Sequence, residues 1–417
     1  MNAGAPADAA VLAAGPGEPV SVRLARAGVC AALSKLRSGS VEVVERGRSV
    51  RLGAPGGAAL PATLQVHDSA FRVAAATGGS LGAAESYVRG EWDTPDLTAL
   101  IRLLARDRAT LAGLDRGLAR LRAPLLRLLH AARRNTRPGS RRNIGAHYDL
   151  GNDFFALFLD PTLSYSSAVF PAPGATLEEA AEHKLDLVCG RLGLEPGMDV
   201  LEIGTGWGGL ALRMASRHGC RVTTTTLSPA QHAVASARVR AAGLGDRVTV
   251  LNEDYRDLPR HGRFDRVVSI EMIEAVGHEY LRRYFRAIDR TLRPGGRALL
   301  QAIVIRDQDE AAYRRGVDFI QRYIFPGGAL PSVRGMCDAV ADATSLRVAG
   351  LEDLSAHYPP TLREWRSRFE ARREEIRALG FDETFLRLWR WYFCYCEAGF
   401  LERTCGLVHL TLEAPER

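Results

Sequence analysis

Between residues 198 and 305, short apolar runs alternate with longer amphipathic stretches, and this alternation limits the fold more than any other feature of the sequence. The apolar runs are rich in Val, Ile and Leu, as in strands buried on both faces of a parallel sheet. In chain order the segments read MDVLEIG, GGLALRMASRH, RVTTTTLS, PAQHAVASARVRAAG, RVTVLNED, FDRVVSIEM, EYLRRYFRAIDRTL and RALLQAIVI. A capping box of Thr176 and Glu179 predicts a helix before the first strand, and GLVHLTLEA predicts a last strand near the C-terminus. The pattern predicts an α/β fold with a doubly wound, mostly parallel sheet.

The remaining sequence predicts a smaller domain, a linker and a tail. At 417 residues the chain is long for one domain. Residues 133–142 are polar and basic and contain Pro and Gly, which predicts a basic linker. Residues 21–132 predict a smaller α+β domain, in which SVEVVERGRSVRLG alternates as a hairpin does. Residues 143–417 would form the α/β domain, and residues 1–20, rich in Ala, Gly and Pro, a disordered tail.

The chain is basic, with a formal net charge of +7 at pH 7, which favours an anionic partner such as a membrane surface. In its strongest basic run, residues 119–142, four leucines recur at helical spacing between Arg residues: Leu121, Leu125, Leu126 and Leu129. Two interpretations stay open, a helix that lies on a membrane surface and a core-facing helix followed by a basic linker. No RNA- or DNA-binding motif occurs, so nucleic acid is not an expected partner.

The sequence predicts neither a membrane span nor a metal site. No uninterrupted apolar run reaches the length of about eighteen residues that suggests a transmembrane helix, and the first residues lack the basic start and apolar core of a signal peptide. The seven cysteines form no CxxC pair, and Cys394 and Cys396 have the wrong spacing for a familiar zinc site. These features predict a cytoplasmic protein with reduced thiols and no bound metal.

A glycine-rich loop, VLEIGTGWGGLA, follows the first predicted strand of the sheet and begins a helix. Gly204, Gly206 and Gly209 satisfy the GxGxxG spacing of dinucleotide sites. Such a site also needs an acid at the end of the second strand, where this sequence has TTTTLS. Instead, Glu202 precedes the first glycine and Asp254 closes the third strand. An acid for an amino group and an acceptor for an adenine favour S-adenosylmethionine over a dinucleotide.

Five segments, in this order, span most of residues 143–332: HYDLGNDFFALFLDPTLSYSSA, VLEIGTGWGGLA, TLSPAQ, FDRVVSIEMIEAVG and RYIFPGGALPS. Together they resemble the cyclopropane-fatty-acyl-phospholipid synthase family of S-adenosylmethionine-dependent methyltransferases. GGSLGAAESYVRGEWDTPDL also resembles the amino-terminal domain of the bacterial enzymes. The resemblance implies a class I methyltransferase-type sheet, a lipid- or membrane-associated domain at residues 21–132, and S-adenosylmethionine as methyl donor.

The resemblance also assigns residues to the donor site. Tyr165 and Ser166 would belong to an aromatic lid over the donor. The other donor contacts that it implies are Gly204, Gly206, Thr226, Leu227, Gln231, Asp254 and Tyr255. Tyr323 and Phe325 are candidates for the acyl-chain channel.

In the family, a bicarbonate ion beside the alkene takes the proton at the end of the reaction. The matching positions here are Glu274 and Tyr358, together with Ser167 where the family has Cys and Gln301 where it has His. Ala275 stands where the family often has a second His. Ser and Gln can still donate hydrogen bonds to an anion. The resemblance therefore implies a bicarbonate site with an altered set of holders, organised by Glu274.

The function expected from this resemblance is methylene transfer from S-adenosylmethionine to the double bond of unsaturated acyl chains in membrane phospholipids. If the proton leaves the new methyl as a ring closes, the product is a cyclopropane. If it leaves elsewhere, the product is a methylene- or methyl-branched chain, and the Ser167 and Gln301 changes keep this second outcome open. A small-molecule methyltransferase and a non-catalytic lipid-binding relative are more distant alternatives. The expected location is the inner surface of the membrane, peripherally bound, with a homodimer as a further implication.

Overall fold

The computed structural model describes residues 18–54, 60–108, 111, 133–148 and 150–416. The predicted tail up to residue 17, and the Leu-containing part of the basic run, lie outside these residues, so neither interpretation of that run is tested. Among the helices of the described residues, none combines the length and apolar composition needed to cross a bilayer.

The chain divides into two compact units that are interleaved along the sequence. The smaller unit contains residues up to Leu129, Gly316–Phe319 and Arg373–Thr404. The larger unit contains the remaining segments: His130–Arg315, Ile320–Arg372 and Cys405–Arg417. Residues 373–404, which the sequence analysis placed in the methyltransferase domain, thus pack in the smaller unit.

The smaller unit has a four-stranded sheet in the order β2-β1-β3-β4. The predicted hairpin is confirmed: β1 and β2 pair antiparallel across a turn in which Arg46 and Gly47 both have positive φ. Its strands are β1 (Gly39–Glu45), β2 (Arg48–Gly53), β3 (Leu60–Val66) and β4 (Trp92–Asp93). Its helices are α1 (Val20–Leu33), α2 (Ala70–Val88), α3 (Leu97–Arg106), α13 (Arg373–Ala378) and α14 (Glu383–Leu401).

The larger unit has a seven-stranded sheet in the order β10-β11-β9-β8-β5-β6-β7. The five strands from β9 to β7 run parallel, while β11 and β10 add an antiparallel edge. The strands are β5 (Asp199–Ile203), β6 (Arg221–Thr225), β7 (Val248–Leu251), β8 (Phe264–Ile270), β9 (Leu292–Ile305), β10 (Arg347–Asp353) and β11 (Cys405–Glu413). The mostly parallel sheet confirms the predicted α/β fold class.

Helices cover both faces of this sheet. One face packs against a helix opened by the predicted Thr176–Glu179 capping box, which is confirmed, and against its neighbours through buried residues such as Val188 and Met214. The other face packs against a second layer that buries Tyr284 and Met336. The helices of the unit are α4 (Arg137–Tyr148), α5 (Asn152–Ala156), α6 (Leu177–Leu192), α7 (Gly209–His218), α8 (Pro229–Ala241), α9 (Leu281–Thr291), α10 (Glu310–Tyr313), α11 (Val333–Ala343) and α12 (Tyr358–Ala371).

Two local features differ from the sequence-based description. The second half of the predicted linker forms the start of helix α4. Pro138 is compatible with this because the first turn of a helix needs no backbone N–H from that residue, and Arg137 donates to Asp257 at 2.7 Å. Strand β10 was not expected, because its residues are exposed on both faces and show no alternation.

Candidate active site

The glycine-rich loop between β5 and α7 requires its glycines for conformational reasons. Gly204 has φ +103°, and a Cβ added there would lie 2.7 Å from Met272 Cγ. Gly206 has φ +52°, in the left-handed region that side chains disfavour. A residue with a side chain at Gly204 would therefore strain the turn and collide with the loop after β8.

Backbone hydrogen bonds hold the carboxyl ends of three neighbouring strands together. The N–H groups of Gly204 and Thr205 both donate to Thr225 O, at 3.0 and 2.9 Å, which joins the ends of β5 and β6. Thr226 N donates to Leu251 O at 3.0 Å, which joins β6 to β7. Ligands of open α/β sheets bind beyond the carboxyl ends of the strands. The predicted donor-site residues at these ends are thus brought to one edge of the sheet.

Glu202 places a buried carboxyl group at the end of β5. It accepts a hydrogen bond from Thr224 Oγ1 at 2.6 Å. Burial raises its pKa to about 8, while Thr224 and the charge of Lys184 act in the opposite direction. A buried carboxyl group of this kind is stabilised by a cation, such as the amino group of a bound amino-acid moiety.

Asp254 supplies a hydrogen-bond acceptor at the end of β7. Its Oδ1 accepts from Arg256 N at 3.0 Å, and its Oδ2 is buried with no partner among the described residues. Buried acceptors are rarely left without a donor, so Oδ2 fits a ligand N–H group such as an adenine amino group. Together with Glu202 and the glycine loop, this orphaned oxygen shows that the residues fit S-adenosylmethionine.

The other predicted donor contacts follow β6 and β7. Thr226 Oγ1 donates to Gln231 Oε1 at 2.9 Å, and both residues are buried. Leu227 is half-buried beside them. The ring of Tyr255 instead packs in the core, with its centroid 5.1 Å from that of Tyr284.

The segment before the sheet packs on the glycine loop through aromatic side chains. Trp207 of the loop donates from Nε1 to Asn152 Oδ1 at 2.7 Å. Phe155 is fully buried, and its ring centroid lies 5.2 Å from those of both Trp207 and Tyr165. This arrangement places Tyr165, a predicted lid residue, in an aromatic cluster with Trp365, 5.3 Å between centroids.

The two predicted acyl-channel residues have different environments. The ring of Phe325 lies 6.3 Å from that of Tyr165 and so extends the aromatic cluster. Tyr323 is 37% exposed, and the guanidinium of Arg322 lies over its ring. Phe325 is therefore placed beside the predicted lid, whereas Tyr323 lies at the surface.

Ser166 links the lid to the only buried lysine among the described residues. Lys184 Nζ donates to Ser166 Oγ at 3.0 Å. Burial lowers the pKa of Lys184, and the charges of Asp160, Glu271 and Glu202 oppose this shift. The lysine thus interacts electrostatically with buried Glu202 at the donor site and with a second carboxylate, that of half-buried Glu271.

Glu271, which the sequence analysis did not select, is the point on which three predicted catalytic residues converge. Its Oε1 accepts from the backbone N–H of Ser167 at 2.9 Å and from Gln301 Nε2 at 2.7 Å. Its Oε2 accepts from the hydroxyl of Tyr358 at 2.6 Å. Burial raises the pKa of Glu271 against the effect of these hydrogen bonds. A carboxylate with a raised pKa is a better general base near neutral pH.

Two sequence signals could have identified Glu271. It follows β8 directly, at the carboxyl end of a central parallel strand, where ligands bind in this fold. It also lies three residues before Glu274 in SIEMIEAVG. Its backbone φ of +49° adds a structural signal, because strained non-glycine residues cluster at functional sites.

The residues predicted to hold bicarbonate do not fit that ion in this chain. The groups of Ser167, Gln301 and Tyr358 that could donate to an anion are directed at Glu271. Ser167 contributes through its backbone, while its hydroxyl donates to Ala168 O at 3.0 Å. The carboxylate of Glu271 takes the hydrogen bonds that the resemblance assigned to a bound anion.

Glu274 is half-buried close to this cluster but is not held by the other predicted residues. Its Oε1 accepts from Ile303 N at 2.5 Å, and its Oε2 has no partner among the described residues. Burial, and then the charge of Glu271, raise its pKa to about 8. Glu274 is therefore mainly protonated at neutral pH, while Glu271 accepts three hydrogen bonds as a carboxylate does.

Replacing Glu274 by Gln is expected to change the pH dependence of stability. A folded-state pKa near 8, above the ordinary value of 4.5, means that the stabilising effect of the neutral carboxyl is complete below about pH 4.5 and is lost as the pH rises through 8. Gln resembles the neutral form and does not titrate. The unfolding free energy of Glu274→Gln should exceed that of the wild type by a margin that grows with pH, to about 3–5 kcal/mol.

Chemical denaturation at a series of pH values measures this difference. The matched control is Glu195→Gln, because Glu195 is exposed, and its difference from the wild type should stay constant with pH. An equally constant difference for Glu274→Gln would contradict the raised pKa.

Comparison with known protein families assigns the chain. The family model described as mycolic acid cyclopropane synthetase matches residues 135–410. A tuberculostearic acid methyltransferase of Mycobacterium tuberculosis (strain ATCC 25618 / H37Rv) is 44% identical over 329 residues, which cover 77% of this chain and 76% of that protein. A cyclopropane-fatty-acyl-phospholipid synthase of Escherichia coli (strain K12) is 37% identical over 350 residues, which cover 83% and 86%.

Solved structures agree with this assignment. A mycolic acid cyclopropane synthase in complex with SAH and CTAB matches with a TM-score of 0.62 and 33% identity, over 66% of this chain and 98% of that one. Coclaurine N-methyltransferase, bound to N-methylheliamine and SAH, matches with a TM-score of 0.60 and 20% identity, over 79% and 98%, which shows a shared fold alone. The chain thus belongs to the cyclopropane-fatty-acyl-phospholipid synthase family of S-adenosylmethionine-dependent methyltransferases.

Proposed function

We propose that this enzyme methylates the double bond of unsaturated acyl chains in membrane phospholipids and forms a methylene-branched chain. The observation that carries the proposal is the carboxylate of half-buried Glu271, held by Ser167 N, Gln301 and Tyr358. Alkylation of an alkene ends with the loss of a proton, so the site needs a base that belongs to the protein or is bound by it. Glu271 meets this need without a bound anion.

The acyl substrate is supported by relatives whose names specify lipid chemistry. The relative with 44% identity is named a tuberculostearic acid methyltransferase, and the one with 37% identity a cyclopropane-fatty-acyl-phospholipid synthase. The aromatic cluster around Tyr165 and Phe325 supports the same class, because its rings exclude water and stabilise a nearby cation.

The chemistry requires precise positioning of an unreactive alkene. S-adenosylmethionine, when bound, would supply an electrophilic methyl group, and its S–CH₃ bond would break with the electron pair staying on the sulfur of the departing S-adenosylhomocysteine. Once the alkene has used its π electrons to form the new C–C bond, the neighbouring carbon carries a positive charge. A hydride shift moves this charge to the carbon that bears the methyl group. Loss of a proton from that methyl then leaves its C–H electron pair as the new C=CH₂ bond.

The hydrogen bonds of Glu271 indicate which oxygen takes this proton. A carboxylate oxygen can accept about two hydrogen bonds. Oε1 already accepts from Ser167 N and Gln301 Nε2, whereas Oε2 accepts only from Tyr358. We therefore assign proton removal to Oε2 and propose that Tyr358 holds it in place.

Cyclopropane formation is the second candidate, and it is favoured by the family membership and by the synthase relative. In that case the same methyl group loses its proton without a prior hydride shift, and its C–H electrons close a three-membered ring on the cationic carbon. Both products are one CH₂ heavier than the substrate. The two routes differ in whether a hydride shift comes first and in where the C–H electrons then go.

A peripheral location at the cytoplasmic surface of the membrane is part of this proposal. The substrate's double bond lies within the bilayer, and the net charge of +7 favours anionic lipid surfaces. Exposed Tyr323 beneath Arg322 has the amphipathic character of interfacial side chains. A homodimer remains part of the proposal through the family resemblance.

The test is to identify the product. The purified protein is incubated with S-adenosylmethionine and vesicles of a mono-unsaturated phosphatidylglycerol, and the released fatty acids are analysed by mass spectrometry and proton NMR. A gain of one CH₂ with vinylidene protons supports the proposal, whereas upfield ring protons would establish cyclopropane formation instead. No gain in mass would reject both and favour a small-molecule or non-catalytic role.

Donor binding offers a separate prediction at Asp254. Asp254→Asn replaces one carboxylate oxygen by an NH₂ group that cannot accept a hydrogen bond. Loss of one such interaction to a charged group should weaken S-adenosylmethionine binding by about 10- to 100-fold. Isothermal titration calorimetry measures the affinity. Asp382→Asn is the control. Like Asp254, Asp382 accepts from a backbone N–H group, that of Phe385, at 2.8 Å, but it lies in the smaller unit. Unchanged binding by both variants would exclude Asp254 from the donor site.

A further inference from the structure

The amide of Gln301 lies between the proposed base and a histidine on the neighbouring strand. Gln301 on β9 and His409 on β11 are direct cross-strand partners, and both side chains are buried. His409 Nε2 lies 2.8 Å from Gln301 Oε1, and Gln301 Nε2 lies 2.7 Å from Glu271 Oε1. One amide therefore has the histidine on one side and the carboxylate on the other.

This series of hydrogen-bonded side chains continues to the edge of the sheet. Glu352 on β10 is the cross-strand partner of His409. Arg191, at the end of α6, forms an ion pair with Glu352 and a hydrogen bond with Nδ1 of His409. Side chains from three adjacent strands and one helix thus form a continuous chain of contacts that ends at Glu271.

Donor and acceptor chemistry fixes a single direction for the hydrogen bonds in this chain of contacts. A guanidinium group has no acceptor, so Arg191 donates and Nδ1 of His409 must accept. The neutral ring then carries its proton on Nε2 and donates to Gln301 Oε1. The amide NH₂ of Gln301 is left to face Glu271 Oε1 and Ser167 O, the latter at 3.3 Å, and both of those groups can only accept.

We propose that Arg191 and His409 are positioning residues that lock the Gln301 amide with its NH₂ group toward Glu271, and so keep the carboxylate ionised and correctly oriented. This inference rests on the proposed role of Glu271 as the base. Without the lock, the amide can rotate by half a turn. Its oxygen would then face the carboxylate, which favours the protonated form of Glu271.

The charged groups around this chain of contacts are consistent with the positioning role. Burial, with the nearby charges of Arg191 and Lys184, lowers the pKa of His409 to about 3, so the ring stays neutral and keeps one N–H. Glu271 itself is faced by Lys184 from α6, by Tyr358 from α12 and by Glu274 from its own loop. Among the described residues, the hydrogen bonds of His409 go to Arg191 and Gln301 and not to these groups, so its replacement acts on Glu271 through Gln301.

The first arm of the test is a pH–rate profile on phosphatidylglycerol vesicles. His409→Phe removes the donor to Gln301, whereas His409→Gln offers an N–H group at a similar reach. We expect His409→Phe to lower kcat by about 10- to 100-fold, less than the roughly 10²- to 10⁴-fold that a whole general base contributes, and to shift the acidic limb of kcat/KM to higher pH. The KM for S-adenosylmethionine should stay unchanged, and His409→Gln should recover most of the rate and the original limb.

A second arm needs no substrate. Because the pKa of folded Glu271 is raised, its contribution to stability is lost as the pH rises through that value. His409→Phe should steepen this loss above the ordinary glutamate pKa of 4.5, and the extra slope should vanish in the Glu271→Gln background. If the wild type fails to alkylate lipid but this dependence appears, the proposed function fails and the positioning role stands.

Arg191 provides a variant that is less disruptive to folding, because its side chain is partly exposed. Arg191→Met should shift the acidic limb in the same direction as His409→Phe, by a smaller amount. The control is Arg347→Met, since Arg347 also pairs with a glutamate at the sheet edge, Glu413, at 2.5 Å. The inference would be overturned if both His409→Phe and Arg191→Met kept the wild-type acidic limb of the kcat/KM profile and the wild-type change of unfolding free energy with pH.

Discussion

Replacing Glu271 by Gln is expected to lower turnover on phospholipid vesicles by about 10²- to 10⁴-fold, the range that positioned general bases contribute. The substitution keeps the size of the side chain and leaves the neighbouring donors of Gln301 and Tyr358 in place, but it removes the charge and one acceptor. S-adenosylmethionine binding, measured by calorimetry, should be retained, because the glycine loop and Asp254 are unaffected. Release of labelled methyl into lipid gives the rate.

Glu274→Gln is the matched comparison, because both residues are half-buried glutamates on the loop that follows β8. The raised pKa of Glu274, about 8, means that Gln reproduces its main form at neutral pH, so we expect turnover to fall by less than about tenfold, well below the loss of a general base. The opposite order of effects would transfer the role of base to Glu274, as the family resemblance implied. Added bicarbonate should not stimulate the wild type, since Glu271 takes the hydrogen bonds of that ion.

Phe155→Ala is expected to cause the largest loss of stability among simple substitutions near the site. Phe155 is fully buried, and its ring contacts Phe154, Tyr165 and Trp207 with centroid separations of 5.4, 5.2 and 5.2 Å. A Phe-to-Ala change in such a position costs about 3–5 kcal/mol through lost burial and an unfilled cavity. Denaturant unfolding measures this free energy.

The same change should weaken donor binding, because Tyr165 and Trp207 would lose a shared packing partner. Phe381→Ala serves as the control: Phe381 is half-buried in the smaller unit and stacks on Phe385, with centroids 4.0 Å apart, so a smaller loss and normal donor binding are expected. If Phe155→Ala were as stable as this control, the aromatic cluster would not be a structural part of the site.

Local sequence patterns predicted the parallel strands of the larger sheet and selected donor-site candidates at the ends of those strands. The Val- and Ile-rich strands need only their own neighbours to be recognised, and the glycine loop follows from the conformations that Gly204 and Gly206 adopt. Asp254 could be selected because it directly follows a strand, and strand ends meet at one edge of a parallel sheet. These inferences use information contained within short segments of the chain.

Features that depend on distant pairs were not predictable in this way. Helix α14 has an aromatic face that buries Trp389 and Phe393, and nothing in its sequence states that this face packs in the smaller unit. Glu271 was missed, although its place directly after β8 is a local signal, because its role arises from Ser167, Gln301 and Tyr358, which lie far apart in the sequence and meet only in the folded state. The family resemblance identified the positions of these three partners but not Glu271, the residue to which they donate.

The position of β11 has a consequence for the order of folding during synthesis. Among the strands of the described residues this one comes latest in the sequence, yet it lies between β9 and β10 in the sheet. A ribosome releases β10 well before β11, so β10 lacks its sheet neighbour until β11 emerges. Since Gln301 finds His409 on that same strand, the base is fully assembled only after β11 has emerged. A nascent chain stalled before residue 405 would therefore carry a complete glycine loop but an unfinished proton-accepting site.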